Sequence, residues 1–448
     1  MSPGGADHPA RRRARGSLVA LLSAHAISQT GNVVTAFAIP FSVLSTGGTG
    51  TQVGIAAAAA TAPVVLGGPL GGVVVDRVGG RRAAIVADVV SGATVLAIPV
   101  LALTVGLPFG ALLALVFAGG LLDTPGQTAR RVLLPAATVA AGGRLEQSVG
   151  FLDGSERLAR LLGASLAGLL VAVIGPMASL FVNAGTFAVS ALLTWAFVRG
   201  ASGGAGAGAA AGLGGGGEVG AGGGAGGEAA VGAEPAPPAP RASYWSELAE
   251  GSRWVVRDPL MRVIVALVLV TNLLDAARTS SLLPLYAADR LGGAAALGLL
   301  VAVMGGAALA GNVLFGLVAH RVPRRVVFAV CFTLAGVPSS AALALGLPLP
   351  WLVASAALSG FAAGAINPIL GAVQLERVPE AMRGRVFGLI GAGAWAGIPL
   401  GGLLGGIAAD GIGLGPAFAI VAVVYGLVTL WPLAGGPWRA MERGSGPR

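Results

Sequence analysis

The chain has 448 residues, of which 55% are hydrophobic and only 10% charged, and its mean hydropathy is +0.83. A soluble fold of this length needs far more charge to solvate its surface, so composition alone excludes that class. The net charge of +9 comes from arginine without any lysine, and these arginines sit in short turns between apolar blocks. That is a membrane-topology pattern and excludes a basic nucleic-acid surface. The single cysteine, Cys331, rules out an intramolecular disulfide and a cysteine-based zinc site. It reads as a small hydrophobe inside a helix.

Taken in chain order, residues 1–16 form a basic cytoplasmic segment with Arg11, Arg12, Arg13 and Arg15. The apolar run from Ser17 reaches about Leu44 with no small-residue cleavage site, so it reads as a retained first helix, not a signal peptide. Further apolar blocks at 52–75, 83–105, 108–130, 150–174 and 178–198 complete an N-terminal bundle over 17–199. Residues 200–242 form a Gly/Ala tract that ends in a Pro-Ala-Pro-Pro run. It lacks the side chains to pack and reads as a cytoplasmic linker. The segment 243–259 alternates Trp, Leu and Val with Glu and Arg, as expected of an amphipathic helix at the membrane surface. Blocks at 260–285, 294–318, 326–347, 350–372, 385–408 and 413–434 make a second bundle over 260–435, and 436–448 is a short tail.

Blocks of about 20 unbroken apolar residues match a bilayer, and within lipid only helices or closed barrels satisfy the backbone. The blocks do not alternate, so helices are expected. The fold class is an all-α integral membrane protein: twelve transmembrane helices in two six-helix bundles with pseudo-twofold symmetry. Arginine fixes the orientation. Even-to-odd turns carry Arg77, Arg81 and Arg82, then Arg131 and Arg144, then Arg321, Arg324 and Arg325, then Arg377, Arg383 and Arg385. The odd-to-even turns near 45–51, 106, 175 and 347 have none; Arg290 is the exception. Both termini are then cytoplasmic, in a bacterial inner membrane.

The halves repeat. Gly72-Val-Val-Val-Asp76-Arg77-Val-Gly79-Gly80-Arg81-Arg82 follows span 2, and Gly316-Leu-Val-Ala-His320-Arg321-Val-Pro323-Arg324-Arg325 follows span 8. Spans 4 and 10 correspond as well, with Thr124-Pro125 and Asn367-Pro368 expected to break each helix. Repeated halves are the build of secondary transporters, which hold substrate near the midplane between them.

On these residues the chain resembles the major facilitator superfamily. Gly72, Asp76, Arg77, Gly79, Arg81 and Arg82 match its turn signature, with Gly80 as an extra residue. Arg130-Arg131-Val-Leu-Leu-Pro135, Gly163 to Gly168, Phe181 to Ser190 and Arg383-Gly-Arg-Val-Phe387 are similar to the enterobactin-exporter-like and macrolide-efflux-like branch. The resemblance implies that the first turn latches the N-half to span 11, with Arg130 or Arg131 as partner, and so closes the cytoplasmic side; the alternative is a basic turn that only sets topology. The second copy has His320 in place of the acid and lacks that fixed anion. The superfamily's antiporters carry a Gly-Pro motif in span 5, where this chain has Ala164. The better match, Gly397-Ile-Pro399-Leu-Gly401-Gly402, lies in span 11.

Ionisable residues within spans are costly and mark function. Asp123, Gln127 and Arg130 fall at i, i+4 and i+7 on one stripe, and Asn272 and Arg278 flank Asp275 at three residues each. A carboxylate in a dry cavity can take up and release a proton, so Asp275 and Asp123 are the proton-coupling candidates, with Arg278 beside Asp275. Either acid could instead form a static ion pair. Asp88 is assigned to the turn network. His25, Ser28, Gln29, Asn32 and Thr35 form a polar stripe on span 1. It lines a cavity or bonds to neighbouring helices; His25, Gln29, Asn32, Asn272 and Gln127 are the cavity-lining candidates. No nucleotide-binding loop, metal motif or hydrolase motif occurs. The expectation is a monomeric, proton-coupled exporter of a small amphipathic molecule, with no cofactor, no metal and no enzymatic activity. The rival readings are a non-transporting membrane sensor or assembly protein on the same scaffold, and an importer or facilitator.

Overall fold

The computed structural model describes residues 9–198, 244–319 and 323–442. The linker reading, the terminal residues, and the contrast drawn at His320 and Arg321 lie outside the described residues. The described chain is helical throughout. The first half comprises α1 (Pro9–Ser45), α2 (Gly50–Val78), α3 (Gly80–Thr104), α4 (Phe109–Ala140), α5 (Leu145–Ile174) and α6 (Pro176–Phe197). After α7 (Tyr244–Arg257) come α8 (Pro259–Ala276), a π-helical turn (Ala277–Leu282) and α9 (Leu283–Arg290), which run on as one span. Then follow α10 (Ala294–Val318), α11 (Arg324–Ala344), α12 (Leu349–Ala363), α13 (Ile366–Arg377), α14 (Arg383–Trp395), α15 (Gly397–Ile412) and α16 (Leu414–Leu430). Eleven helices among the described residues are long and apolar enough to cross a membrane; α2 adds a shorter apolar stretch, Gly50–Val65.

The helix boundaries have local causes. Thr49 and Gln52 form a capping box at the start of α2. Asp258 caps α8 through the N–H groups of Leu260 and Met261, with Pro259 in the first turn. α2 and α3 meet at Gly79, whose φ of +85° is strained for any residue with a Cβ. That requirement explains Gly79 in the arginine-rich turn.

Several boundaries differ from the sequence reading. α1 begins at Pro9, eight residues before the apolar run, because its arginines are tolerated in a helix beyond the apolar core. Pro125 does not break α4, which continues to Ala140. Thr124 and Thr128 donate their hydroxyls to the carbonyls of Gly120 and Thr124, supplying local bonds around the proline. The second-half counterpart is interrupted, between Ala363 and Ile366. The C-terminal segment 436–448, read as a short tail, packs against the second bundle in its described part. A 3-10 turn over Gly436–Met441 places Trp438, fully buried, against Phe328 and Trp431.

Within the first half, α1 packs on α5 and α6, α3 on α4 and α6, and α2 on α4. Within the second, α8 and the π turn pack on α15, α10 and α11 on α12, and α11 on α16. The halves meet through α2 with α15, α5 with α10, and α1 with α9. Glycine permits these approaches: Gly54 lies against Gly402 and Gly406, and Gly168 against Gly298. All of these residues lie toward the arginine-poor turns. A Cβ on Gly168 would sit 2.6 Å from the Ala294 carbonyl oxygen, whereas one on Gly185 would meet open space. Gly168→Ala is therefore expected to cost about 1–3 kcal/mol of stability and Gly185→Ala almost none. Thermal melting in detergent measures the difference, and equal melting of the two variants would contradict this packing.

Candidate functional site

The polar stripe of α1 is hydrogen-bonded mostly to neighbouring helices, with Gln29 paired along α1 itself. His25 Nε2 is 2.9 Å from Glu156 Oε1 on α5, and that oxygen also accepts from Arg131 at 2.7 Å. Glu156 Oε2 accepts from Arg160 at 3.2 Å. Ser28 Oγ accepts from Arg130 at 3.2 Å. Asn32 donates to Asp123 at 2.8 Å and to Gln29 at 3.3 Å, and Thr35 is bonded to Asn183 of α6. His25 is wholly buried, so it lines no open space.

Asp123 and Arg130 share a helical stripe but part company. Arg130 turns to α3 and donates to Asp88 Oδ1 at 2.8 and 3.1 Å, while Ser190 of α6 donates to Asp88 Oδ2 at 2.7 Å. Both side chains of this pair are fully buried. Asp88 thus holds α3, α4 and α6 together from within. Asp123 keeps only neutral amide partners: Asn32 and Gln127, at 2.8 and 2.7 Å, both donate to Oδ2. Its Oδ1 is buried and has no partner among the described residues.

The second half differs. Arg278 lies at the π turn and donates to Asp275 Oδ1 at 3.2 Å and to Ser339 at 2.8 Å. Tyr425 of α16 donates to Asp275 Oδ2 at 3.3 Å. Asn272 points elsewhere and donates to the Ala394 carbonyl of α14. Arg278 also forms part of the wall of a cavity with Thr279, Met304, Ser339 and Ser355.

In the arginine-rich turn, Asp76, Arg77 and Arg82 are exposed and have no hydrogen-bond or ion-pair partner among the described residues. Arg81 donates to the Trp195 carbonyl at 2.6 Å. A Cβ on Gly72 or Gly316 would meet nothing within 4 Å. Neither Arg130 nor Arg131 is bonded to Asp76; both are engaged within the first half. In the second turn Arg324 makes a bidentate pair with Glu376 at 2.6 and 2.7 Å, and Arg325 lies 4.0 Å from Glu442.

Sequence reasoning missed Glu156, Tyr425 and the π turn. Glu156 sits in Asp153-Gly-Ser-Glu156-Arg157-Leu-Ala-Arg160, a charged run inside the block read as a span at 150–174 but not singled out there. Its placement opposite His25 was the signal available, and it needs the α1–α5 contact to be seen. Tyr425 is one aromatic in an apolar helix, and nothing in the local pattern marks a π turn.

A helical membrane protein with an ion pair inside the apolar spans of each half, fully buried at Asp88–Arg130 and partly exposed at Asp275–Arg278, is the class these features define. The family model described as the Major Facilitator Superfamily matches residues 21–292 and 265–438. The chain belongs to the Major Facilitator Superfamily. It is 29% identical over 412 residues to the multidrug efflux pump Tap of Mycolicibacterium fortuitum, covering 91% of this chain and 93% of that protein. To the multidrug efflux pump Tap of Mycobacterium tuberculosis it is 30% identical over 434 residues, 94% of each. Its fold is that of the nucleoside transporter NupG (TM-score 0.65, 12% identity, 95% of this chain and 98% of that one). A D-xylose-proton symporter matches with TM-score 0.62 at 13% identity, over 98% of both chains.

Proposed function

We propose that this protein is a secondary active exporter of small amphipathic drugs or metabolites, driven by protons and working by alternating access. Similarity to multidrug efflux pumps along almost the whole chain supports the substrate class. In this reading α2 is the twelfth span, residues 9–198 and 259–434 are the two six-helix bundles, and the arginine-rich turns face the cytoplasm of a bacterial inner membrane. The close contacts between bundles gather toward the arginine-poor turns, as in a state open to the cytoplasm.

The observation that carries proton coupling is Asp123: a buried carboxylate with neutral amide partners on one oxygen and none on the other. A bare buried oxygen is costly, so it is the natural place for a proton or a donor on the substrate. Asp275, tied to Arg278 and Tyr425, is the weaker candidate. Proteoliposomes with an imposed pH gradient test the reading. Gradient-driven accumulation of a cationic amphipathic dye is expected, and accumulation indifferent to the gradient would sink proton coupling.

The free turn at Asp76 fits the same state. Gly72 and Asp76 are one helical turn apart and unengaged, so their face is open to receive the second bundle when the cytoplasmic side closes. Asp76→Ala is expected to reduce transport about tenfold or more, and His320→Ala far less. Dye-efflux rates in cells at matched expression decide, and equal losses would leave the turn only a topological role.

A further inference from the structure

The face away from the arginine-rich turns carries a polar contact that the coupling acids do not use. Asp410 lies in the last turn of α15, in the second half, against the first turn of α2 in the first half. Its Oδ1 accepts from the Gly50 N–H at 2.8 Å. Its Oδ2 accepts from the Thr51 N–H at 2.7 Å and from the Thr51 hydroxyl at 2.6 Å. The leading amides of a helix are the place where a carboxylate gains most, from hydrogen bonds and from the helix dipole together. α2 already has its own capping box at Thr49 and Gln52, so Asp410 adds a second cap supplied across the interface. Beside it the packing is backbone on backbone: a Cβ on Gly54 would lie 2.8 Å from the Gly402 carbonyl oxygen. The other glycine-packed pairing, α5 with α10, has no such carboxylate, and the N-cap of α10 is Gly293 without a side-chain bond. At its far end, the same helix α2 carries Asp76, which has no partner among the described residues.

We propose that Asp410 is the catch of the external gate. It holds α2 to α15 while the arginine-rich face is open, and its release from the α2 N-terminus is part of the swing that closes that face. α2 then carries a carboxylate contact at each end, with one made while the other is broken. Asp410 acts on the equilibrium between the two open states and touches neither substrate nor the coupling acids. This inference rests on the alternating-access reading above.

The test uses spin labels in a Cys331→Ser background. One pair, Val105→Cys with Leu345→Cys, reports the distance across the external ends; the other, Val139→Cys with Val326→Cys, reports the cytoplasmic ends. All four side chains are exposed. Asp410→Ala is expected to raise the externally open population about tenfold, the scale of a lost helix cap, lengthening the first distance and shortening the second. Thr51→Ala, which removes one of the three bonds, is expected to move both distances the same way by less, and it guards against misfolding of the first variant. Unchanged distributions in both variants would overturn the proposal. The readout needs no transport, so failure of the exporter reading shows separately, as a wild-type protein that moves no dye while its distances still respond to Asp410.

Discussion

Arg130→Met is expected to lower the stability of the protein more than any other single change considered. Arg130 and Asp88 are both fully buried, and the guanidinium makes two bonds to one carboxylate oxygen and a third to Ser28. Removing one partner of a buried pair strands the other, at a cost of about 3–5 kcal/mol. Protonation of Asp88 would relieve part of this. The cost of the pair itself is different: replacing both partners with apolar residues of similar volume is often close to neutral. The double variant Asp88→Leu, Arg130→Met is therefore expected to recover most of the loss. Melting in detergent, read by the monodisperse fraction after heating, measures both. If the single variant melts like the wild type, the pair is not a structural tie. If the double variant is as poor as the single one, Asp88 has a further role, and the Ser190 bond is where to look.

The pair also shows where the sequence ran out. Helical spacing put Asp123, Gln127 and Arg130 on one stripe, and in the structure Gln127 on that stripe donates to Asp123. Spacing cannot tell which way a long guanidinium turns. Arg130 runs to α3, and only the α3–α4 contact reveals that. The arginine asymmetry between turns was legible because it needs only composition and the order of the apolar blocks. The glycine patches at Gly163 to Gly168 and Gly397 to Gly402 were legible as motifs, and two of their members make close contacts: Gly168 meets α10, and Gly402 meets α2. Their partners were not, since close approach needs only an absent side chain on each side. The polar stripe of α1 was visible, but its use was not. Each member finds a partner on α4, α5 or α6 or along its own helix, so most of it serves as interhelical hydrogen bonding and only the Asn32–Asp123 contact reaches a group free to act. The π turn beside Arg278 has no sequence signature, although such turns recur at functional sites.

Asp123→Asn is expected to abolish gradient-driven export while leaving the fold intact. Asparagine keeps the shape and an oxygen that can accept from Asn32 and Gln127, so the packing of α1 on α4 should survive. What it removes is the only intramembrane carboxylate among the described candidates, Asp88, Asp123 and Asp275, that has no arginine bonded to it. A gradient of two pH units supplies ~2.7 kcal/mol per proton, enough for a hundredfold substrate ratio. A carrier that cannot exchange its proton forfeits that ratio and can only equilibrate. The variant should therefore still exchange labelled substrate at equal concentrations on both sides, yet accumulate none against a gradient. Asp275→Asn should keep part of its accumulation, because Arg278 retains Ser339 and the carbonyl oxygen of the new amide can still accept. The two variants are compared in the same proteoliposomes, with counterflow and pH-driven uptake read side by side. The opposite order, full uptake in Asp123→Asn and none in Asp275→Asn, would move the coupling site to the second half. In that case the ion pair at the π turn would be the group that opens and closes with the proton, and the bare oxygen of Asp123 would be left for the substrate.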